Sequence, residues 1–471
     1  MDFSGNPGQE RHRLQVAYGR PVSYGPAIIV LTVMVLLSGR LFRLISRYAV
    51  NIFFWDEWDN KSATLFQKTP LWEMFTWQRG WHRLGVGALL EKALDPFFHW
   101  NSRSESFILG ALVVAAAILA LWLKVRLYGR ISVWDIAIPA IFFTPAQWET
   151  LYMTPIFSQG PLPFLLIIGY CLAWTCETSA VRYSLVLAIN FLTIFTGFGV
   201  FLGVMTPVLL ALDHWSCPRS KIGHLFRLLI SLASLGYFFV GYVHTRGVDC
   251  LPHAQPSSLK GYATFLMLMA ADFFAPNGRG SFARVAGSAL LIGLLISLSC
   301  ALHFLLRRRD PSVAHREQTT RLVVVTLAAL GLATCVTIAY LRLCAGLEVA
   351  LAPRYTVYIQ IGALGLYLHS LRIPQPWIRR SMLSVFVTSV VVACLHADRI
   401  GMAHFRDGKQ RWKSCYLRTE DIEECNKTTG FLIYRLPGGY PRVDEKRQSL
   451  TLQQKLQYLK RTHQNLYLDA K

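Results

Sequence analysis

Three carboxylates lie within four residues of one another in the stretch NIFFWDEWDN, near the N-terminus. The acids are Asp56, Glu57 and Asp59, and Trp55 and Trp58 flank them. A carboxylate shielded by aromatic rings is desolvated, which raises its pKa and makes it a stronger general base. The stretch therefore predicts Asp56 as a general base, with Glu57 as the second choice and Asp59 as a helper or helix cap.

Two other interpretations of the same acids stay open. Carboxylates just beyond a hydrophobic segment can form a solvated cap that pairs with nearby arginines or lipid headgroups. The Asp-x-x-Asp spacing with Glu57 also offers hard oxygen ligands, which suit Mg²⁺ or Mn²⁺. We predict no required cofactor and keep this divalent cation as an alternative.

More polar residues are predicted on the same side of the membrane as the acids. His82 and Arg83 come from GWHRLG, Glu149 from AQWETLY, Gln159 from the residues after it, and Arg354 and Tyr355 from APRYTVY. An arginine at the mouth of an intramembrane cavity needs an anionic partner. That partner is either one of the acids or a phosphate, which the planar guanidinium binds well.

The composition indicates a membrane protein. The chain has 471 residues, of which 53% are hydrophobic and only 16% charged, with a formal net charge of +21. Soluble domains carry about a quarter charged residues. The positive charge falls mostly in short linkers between apolar runs, which favours a role in membrane topology over nucleic-acid binding. We therefore predict an all-α polytopic membrane protein whose partners include lipids and exclude nucleic acid.

About eleven apolar runs are candidates for membrane crossings, judged by the ~20 residues that a bilayer requires. They are 26–46, 106–123, 131–147, 161–176, 182–196, 198–213, 225–243, 283–306, 321–341, 354–371 and 381–397. The pair 182–213 is only just long enough for two crossings joined at Thr196-Gly197. One long helix or a re-entrant pair therefore remains an alternative there.

Cationic loops predict the orientation. Clusters of Arg and Lys occur before the first run and after the second, sixth, eighth and tenth runs; the residues are Arg11, Arg13, Arg20, Lys124, Arg126, Arg130, Arg219, Lys221, Arg227, Arg307, Arg308, Arg309, Arg316, Arg321, Arg372, Arg379 and Arg380. A cytoplasmic N-terminus puts all five clusters inside, as the positive-inside rule requires. This topology requires the apolar segment 262–274 to be interfacial or re-entrant.

The predicted domains follow from this topology. Residues 1–24 form a cytoplasmic tail without an evident signal peptide, 25–397 the transmembrane domain with an outer loop at 48–105, and 398–471 a small extracytoplasmic domain. In the outer loop, SATLFQKTPLWEMFTW and LGVGALLEKALDPFFHW have helical apolar spacing, so we expect amphipathic helices that lie on the membrane or pack against the bundle. Cys415 and Cys425 fall in the C-terminal domain, where a disulfide is one of two open possibilities.

The pattern WDEWD, then F.W..G.HRLG, then QWE and a late RY resembles the GT-C superfamily of polytopic glycosyltransferases, in an uncharacterised bacterial branch. The stretch after QWE, TLYMTPIFSQGP, departs from the pattern of that branch. The resemblance implies a polyprenyl-phosphate-linked sugar donor and an acceptor on a glycan, lipid or protein. It implies that Arg354 binds the donor phosphate and that Asp56 or Glu57 is the base of an inverting transfer. Asp59, His82, Arg83, Glu149, Gln159 and Tyr355 would bind or position substrate.

The resemblance also implies a location, and other classes compete with it. It suggests the bacterial inner membrane, with the endoplasmic reticulum as an alternative. A transporter or flippase of a lipid-linked or small solute is the main alternative function. Against a coupled transporter, the runs show no two-half symmetry and few acids, with Asp135 near one end as the exception. A membrane scaffold is a third possibility.

Overall fold

The computed structural model describes residues 24–216, 221–243, 258–275, 278–307, 315–434 and 450–469. Within these ranges the chain is almost entirely helical, and its sheet is one antiparallel pair, β1 (Gln78–Arg79) with β2 (His82–Arg83). The prediction of an all-α membrane protein is confirmed at this level. The predicted cytoplasmic tail and the cations Arg11, Arg13, Arg20, Arg219, Arg308 and Arg309 lie outside the described residues.

Eighteen α-helices occur in the described part of the chain. In order they are α1 (Gly25–Tyr48), α2 (Asp56–Lys61), α3 (Leu71–Phe75), α4 (Gly85–Leu94), α5 (Ser102–Tyr128), α6 (Ala137–Phe142), α7 (Pro161–Ala173), α8 (Ser179–Ile194), α9 (Val200–Ser216), α10 (Lys221–Phe239), α11 (Leu259–Asp272), α12 (Ser281–Arg307), α13 (His315–Arg342), α14 (Thr356–Ser370), α15 (Pro376–Leu395), α16 (Arg399–Thr419), α17 (Ile422–Thr429) and α18 (Leu452–Arg461). Short 3₁₀ and π segments link several of them.

Six candidate spans among the described residues are long and apolar enough to cross a membrane: Gly25–Tyr48, Ser102–Tyr128, Lys221–Phe239, Ser281–Arg307, His315–Ala345 and Pro376–Thr419. The most hydrophobic windows of α1 and α10 are only 22% and 11% buried inside the molecule. Exposed apolar surface on that scale requires an apolar surrounding. The helices therefore indicate a membrane protein, with fewer long spans than the eleven predicted runs.

The shorter runs differ in how they form helices. The third predicted run, 131–147, is wrong as one helix: it is a 3₁₀ turn, the six-residue α6 and a second 3₁₀ turn that starts at Pro145. Proline interrupts a helix because it lacks the N–H that the helix needs. The run 182–213 forms two helices, α8 and α9, and Thr196-Gly197 lies in the link between them. That excludes the single long helix.

The helix ends meet in two groups. At one end, which we call the site end, Ser158 Oγ donates to the Leu84 carbonyl at 2.6 Å, and Trp72 Nε1 donates to the Tyr237 hydroxyl at 3.0 Å. At the far end, Arg126 donates to the Thr175 carbonyl at 2.9 Å. These contacts define the two ends, and the order of crossings that the charge pattern predicts stays a prediction.

The segment 262–274 belongs to α11, a helix of 14 residues. At 1.5 Å per residue it is about 21 Å long, which is short for a ~30 Å hydrocarbon core. It packs mainly against α12, at the site end. Length alone does not decide whether the segment crosses, because α7 in the predicted run 161–176 has only 13 residues. The interfacial or re-entrant placement stays a prediction.

The first outer loop packs against the bundle through small residues. α4 buries Gly85, Gly87, Ala88 and Glu91, whereas its leucines 89 and 90 are only half-buried. Trp72, before α4 in the chain, is 53% exposed, and Phe97, after α4, is 79% exposed. The packed alternative therefore holds for α4, while the exposed aromatic residues suit a membrane surface.

The C-terminal region is joined to the first loop by one continuous core. Trp412, Ile433 and Leu456 are in the same cluster of buried residues as Phe53 and Trp58. Cys415 and Cys425 form a disulfide. The described part of 398–471 therefore packs on the loop that carries the acids.

Candidate functional site

The acidic helix α2 begins at a strained residue. Trp55, its N-cap, has a φ of 45°, which is unusual for a bulky side chain. Its backbone N–H donates to the Ile433 carbonyl at 2.8 Å, and its indole N–H donates to the Leu432 carbonyl at 3.1 Å. The C-terminal region thus holds the conformation that starts α2.

Consecutive residues of α2 point to different surroundings, because helix positions are about 100° apart. The side chains of Asp56 and Asp59 are 36% and 43% exposed. Glu57 is fully buried. Of the three acids of α2, only Asp56 and Asp59 can therefore reach a bound molecule in this arrangement.

Arg79 joins the two exposed acids. Its Nη2 is 2.7 Å from Asp56 Oδ1 and 3.6 Å from Asp59 Oδ2, and its Nη1 donates to Asn60 Oδ1 at 3.1 Å. Burial acts to lower the pKa of Arg79, but Asp56 and Asp59 together raise it above its ordinary value. Arg79 is therefore a permanent positive charge beside the acids.

Glu57 supports α2 from inside. Its Oε2 accepts from the Phe54 backbone N–H at 2.8 Å, and its Oε1 accepts from the Ser102 hydroxyl at 2.8 Å. Burial raises the pKa of Glu57 to about 7, although Lys409, Ser102 and Lys61 act in the other direction. The second choice for the base thus ties α2 to the start of α5 and does not face the open site.

His82 is positioned by the link between α8 and α9. Its Nδ1 lies 2.8 Å from the Gly197 carbonyl, and its ring packs edge-on against Phe198. Burial lowers the pKa of His82 to about 4, and Arg79 and Arg342 lower it further. The imidazole is therefore neutral at pH 7, and Nδ1 carries the proton that is donated to Gly197.

Glu149 and Arg354 form an ion pair with Nη1–Oε1 at 2.5 Å, and the Arg354 side chain remains 36% exposed. The Arg354 guanidinium also lies 5.2 Å from the centre of the buried Tyr355 ring. Burial acts to lower the pKa of Arg354, but Glu149, Tyr355 and Asp56 raise it above its ordinary value. Asp56 is among the charges that raise the pKa of Arg354. Phe54, two residues before Asp56, and Trp148, next to Glu149, both pack on the Phe405 ring, with centroids 5.9 and 5.4 Å away.

Two predicted substrate-binding residues have other placements. Arg83 is buried and donates to the carbonyls of Thr76, Phe238 and Val240, so it joins the hairpin to the end of α10. These hydrogen bonds give Arg83 a structural role, and its role in substrate binding stays a prediction. Gln159 is half-buried near the site end, and its side chain makes no hydrogen bond to the described residues.

The divalent cation stays an alternative, and it would compete with Arg79 for the exposed acids. Arg79 contacts both Asp56 and Asp59, whose oxygens would be the ligands of Mg²⁺ or Mn²⁺. In the described ranges no three His, Cys, Asp or Glu side chains are grouped suitably for a metal ion.

Several residues around the acids were missed by the sequence analysis. Besides Arg79, the Tyr434 hydroxyl donates to Asp59 Oδ1 at 2.7 Å, and the buried Lys455 Nζ lies 3.7 Å from the same oxygen. The only sequence signal for Arg79 is its place next to GWHRLG. Tyr434 and Lys455 carry no such signal, because they are nearly 400 residues from α2.

No protein-family model matches this chain, and no curated protein is significantly similar to it. The GT-C resemblance therefore stays a prediction that rests on the short motifs alone.

Proposed function

We propose that this protein is a membrane glycosyltransferase that moves a sugar from a polyprenyl-phosphate donor to an acceptor hydroxyl. The observation that carries the proposal is that Phe54, beside Asp56, and Trp148, beside the Glu149–Arg354 pair, pack on the same Phe405 ring of an apolar helical protein. The Asp56 and Arg354 side chains are each 36% exposed, so a carboxylate base and a phosphate-binding cation are open to the same region. A lipid-linked donor suits such a site because its chain can stay among the helices.

The proposed transfer is a single inverting displacement. Asp56 takes the proton from the acceptor hydroxyl as its oxygen bonds to the anomeric carbon of the sugar. The bond from that carbon to the phosphate oxygen breaks, and the lipid phosphate leaves with the electron pair. Arg354, held by Glu149, stabilises the negative charge that develops on the phosphate. The neutral His82 is available as a hydrogen-bond partner for the sugar or the acceptor.

The proposal includes a topology of about eleven crossings, with a cytoplasmic N-terminus and the site end outside the cytoplasm. Cys415–Cys425 and the disulfide-bonded Cys344 lie at the site end, which supports this orientation because disulfides persist in oxidising compartments. The bacterial inner membrane is the proposed location, with the endoplasmic reticulum as the alternative.

The test is sugar transfer by membranes that contain the protein, supplied with a panel of polyprenyl-phosphate-linked sugars. Asp56→Asn should lower transfer by roughly 10²- to 10⁴-fold, the usual contribution of a general base. Glu177→Gln, which removes an exposed acid at the far end, should retain full activity at the same protein level. Unchanged transfer in Asp56→Asn overturns the assignment of the base. If the wild-type protein flips lipids and transfers no sugar, the glycosyltransferase proposal is overturned and a flippase is favoured.

A further inference from the structure

Arg79 contacts the acidic helix α2 at several residues, not only through one ion pair. One guanidinium touches Asp56, Asp59 and Asn60, which are three of the six residues of α2. Its two Nη atoms have different partners: Nη2 faces the carboxylates, and Nη1 donates to the amide oxygen of Asn60. This fork fixes the rotation of the Asp56 carboxylate in a way that a single ammonium group cannot.

The hairpin that carries Arg79 is itself fixed to the bundle. Gln78 exchanges hydrogen bonds with Val243, at 2.7 Å through its amide NH₂ and at 2.8 Å through its amide oxygen. His82 binds the Gly197 carbonyl, and Arg83 binds carbonyls at the end of α10. Two segments, the end of α10 with Val243 and the link at Gly197, therefore hold the hairpin of Arg79, and the place of the guanidinium does not depend on α2 alone.

We propose that Arg79 is the positioning residue of the general base: it orients the Asp56 carboxylate and keeps it ionised. The inference rests on the proposed function, in which Asp56 accepts the proton of the attacking hydroxyl. Arg79 exchanges no proton and makes no covalent bond in that step. Its charge favours the anionic form of Asp56 before the acceptor arrives and does not change when the proton transfers.

Other charges surround Asp56, and the test must separate them from Arg79. Glu57 and Asp59 lie on the same helix, and His82 faces it from the hairpin. Arg354 acts on it from the segment before α14. From the C-terminal region, Lys455 and Tyr434 reach Asp59. Lys455→Gln is therefore a matched control, since it removes one positive charge beside α2 and leaves the Arg79–Asp56 pair.

The experiment measures the ionisation of Asp56 without a substrate. Dicyclohexylcarbodiimide reacts with protonated carboxyl groups, so the pH dependence of its attachment to Asp56 in the purified full chain, read by tandem mass spectrometry, reports when Asp56 loses its proton. In Arg79→Gln the midpoint of labelling should rise by roughly one pH unit, because an opposite charge this close shifts ionisation by 1–3 units. At a pH above both midpoints, Asp56 should then label about tenfold faster than in the wild type. Arg79→Lys and Lys455→Gln should keep the wild-type midpoint.

An unchanged midpoint in folded Arg79→Gln overturns the inference, and so does an equal rise in Lys455→Gln. If Arg79→Gln does not fold, the double variant Arg79→Gln/Asp59→Asn is compared with Asp59→Asn alone, because that comparison still isolates the charge of Arg79. Labelling needs no sugar transfer, so the two proposals fail separately. A raised midpoint with full transfer in Asp56→Asn overturns Asp56 as the base and the catalytic meaning of Arg79, while an unchanged midpoint with lost transfer overturns the role of Arg79 alone.

Discussion

At the scale of single residues, two adjacent acids have opposite surroundings. The Asp56 side chain is partly exposed and forms an ion pair with Arg79. The Glu57 side chain is buried and accepts hydrogen bonds from the Phe54 backbone N–H and the Ser102 hydroxyl. The spacing of the acids in the sequence could not separate these roles, since either residue of a short helix can face outward. The direction in which α2 packs against α5 decides which acid can meet a substrate.

Glu57 predicts a pH-dependent stability. Its pKa is raised from 4.5 to about 7 in the folded protein, so the folded state binds more protons than the unfolded state between those values. The contribution of Glu57 is most favourable below pH 4.5, and stability falls as pH rises through about 7, by roughly 3 kcal/mol in total. In Glu57→Gln the decline of the melting temperature of the purified protein between pH 5 and pH 8 should be smaller than in the wild type.

The matched control for Glu57 is Glu177→Gln, because the Glu177 side chain is 88% exposed at the far end. This variant should keep the wild-type slope of melting temperature against pH. A Glu57→Gln variant with the full wild-type slope would show that Glu57 does not contribute to it.

At the scale of elements, α4 shows how a hydrophobic pattern can indicate the wrong buried face. Its leucines predict an apolar face, but the closest contact with the bundle is through glycines. A Cβ on Gly87 would lie 2.4 Å from the Ser158 backbone nitrogen, and one on Gly85 would lie 2.1 Å from the Phe195 carbonyl oxygen. Helices approach this closely only where side chains are absent, and apolar spacing does not report such contacts.

Gly87→Ala should therefore destabilise the protein by about 1–3 kcal/mol, because the added methyl group meets backbone that must move. Gly39 is the control: it lies within α1, and a Cβ there would have nothing within 4 Å. Gly39→Ala should leave stability unchanged or raise it by up to about 1 kcal/mol, since alanine favours helix. Thermal unfolding of both purified variants checks the prediction, and a loss of similar size in both would contradict it.

At the scale of the whole molecule, the C-terminal region closes over the first loop. Lys455 is buried and donates to the Trp58 carbonyl at 2.7 Å, while Asn465 donates to the Trp100 carbonyl at 2.7 Å. A core shared by the two regions means that the acidic helix is assembled from both ends of the chain. The site would not form from the first loop alone.

The proposed topology predicts which exposed positions face the outside of the cell. Glu348 lies at the site end with its side chain 75% exposed, and Glu177 lies at the far end with 88% exposed. In a background with Cys300 replaced by serine, Glu348→Cys should react with a membrane-impermeant maleimide on intact cells. Glu177→Cys should react only after the membrane is permeabilised. Labelling of both positions on intact cells would contradict the proposed orientation.

The sequence alone determined the class of the protein and much of its helix content. Apolar runs long enough for a bilayer, proline breaks and cationic loops are local properties, so their energies are set largely by neighbouring residues. The same local reasoning identified Asp56, His82, Glu149 and Arg354 as candidates on one side. It could not predict the fork of Arg79 or the contacts of Tyr434 and Lys455 with Asp59.

Only the tertiary structure decided which of these residues meet. It turned Glu57 inward, committed Arg83 to backbone carbonyls and placed Arg79 between the two open acids. Contacts of this kind join segments far apart in the chain, and their geometry depends on how whole helices pack. A local pattern carries no information about that packing, which is why the sequence predicted the components of the site and the fold determined their arrangement.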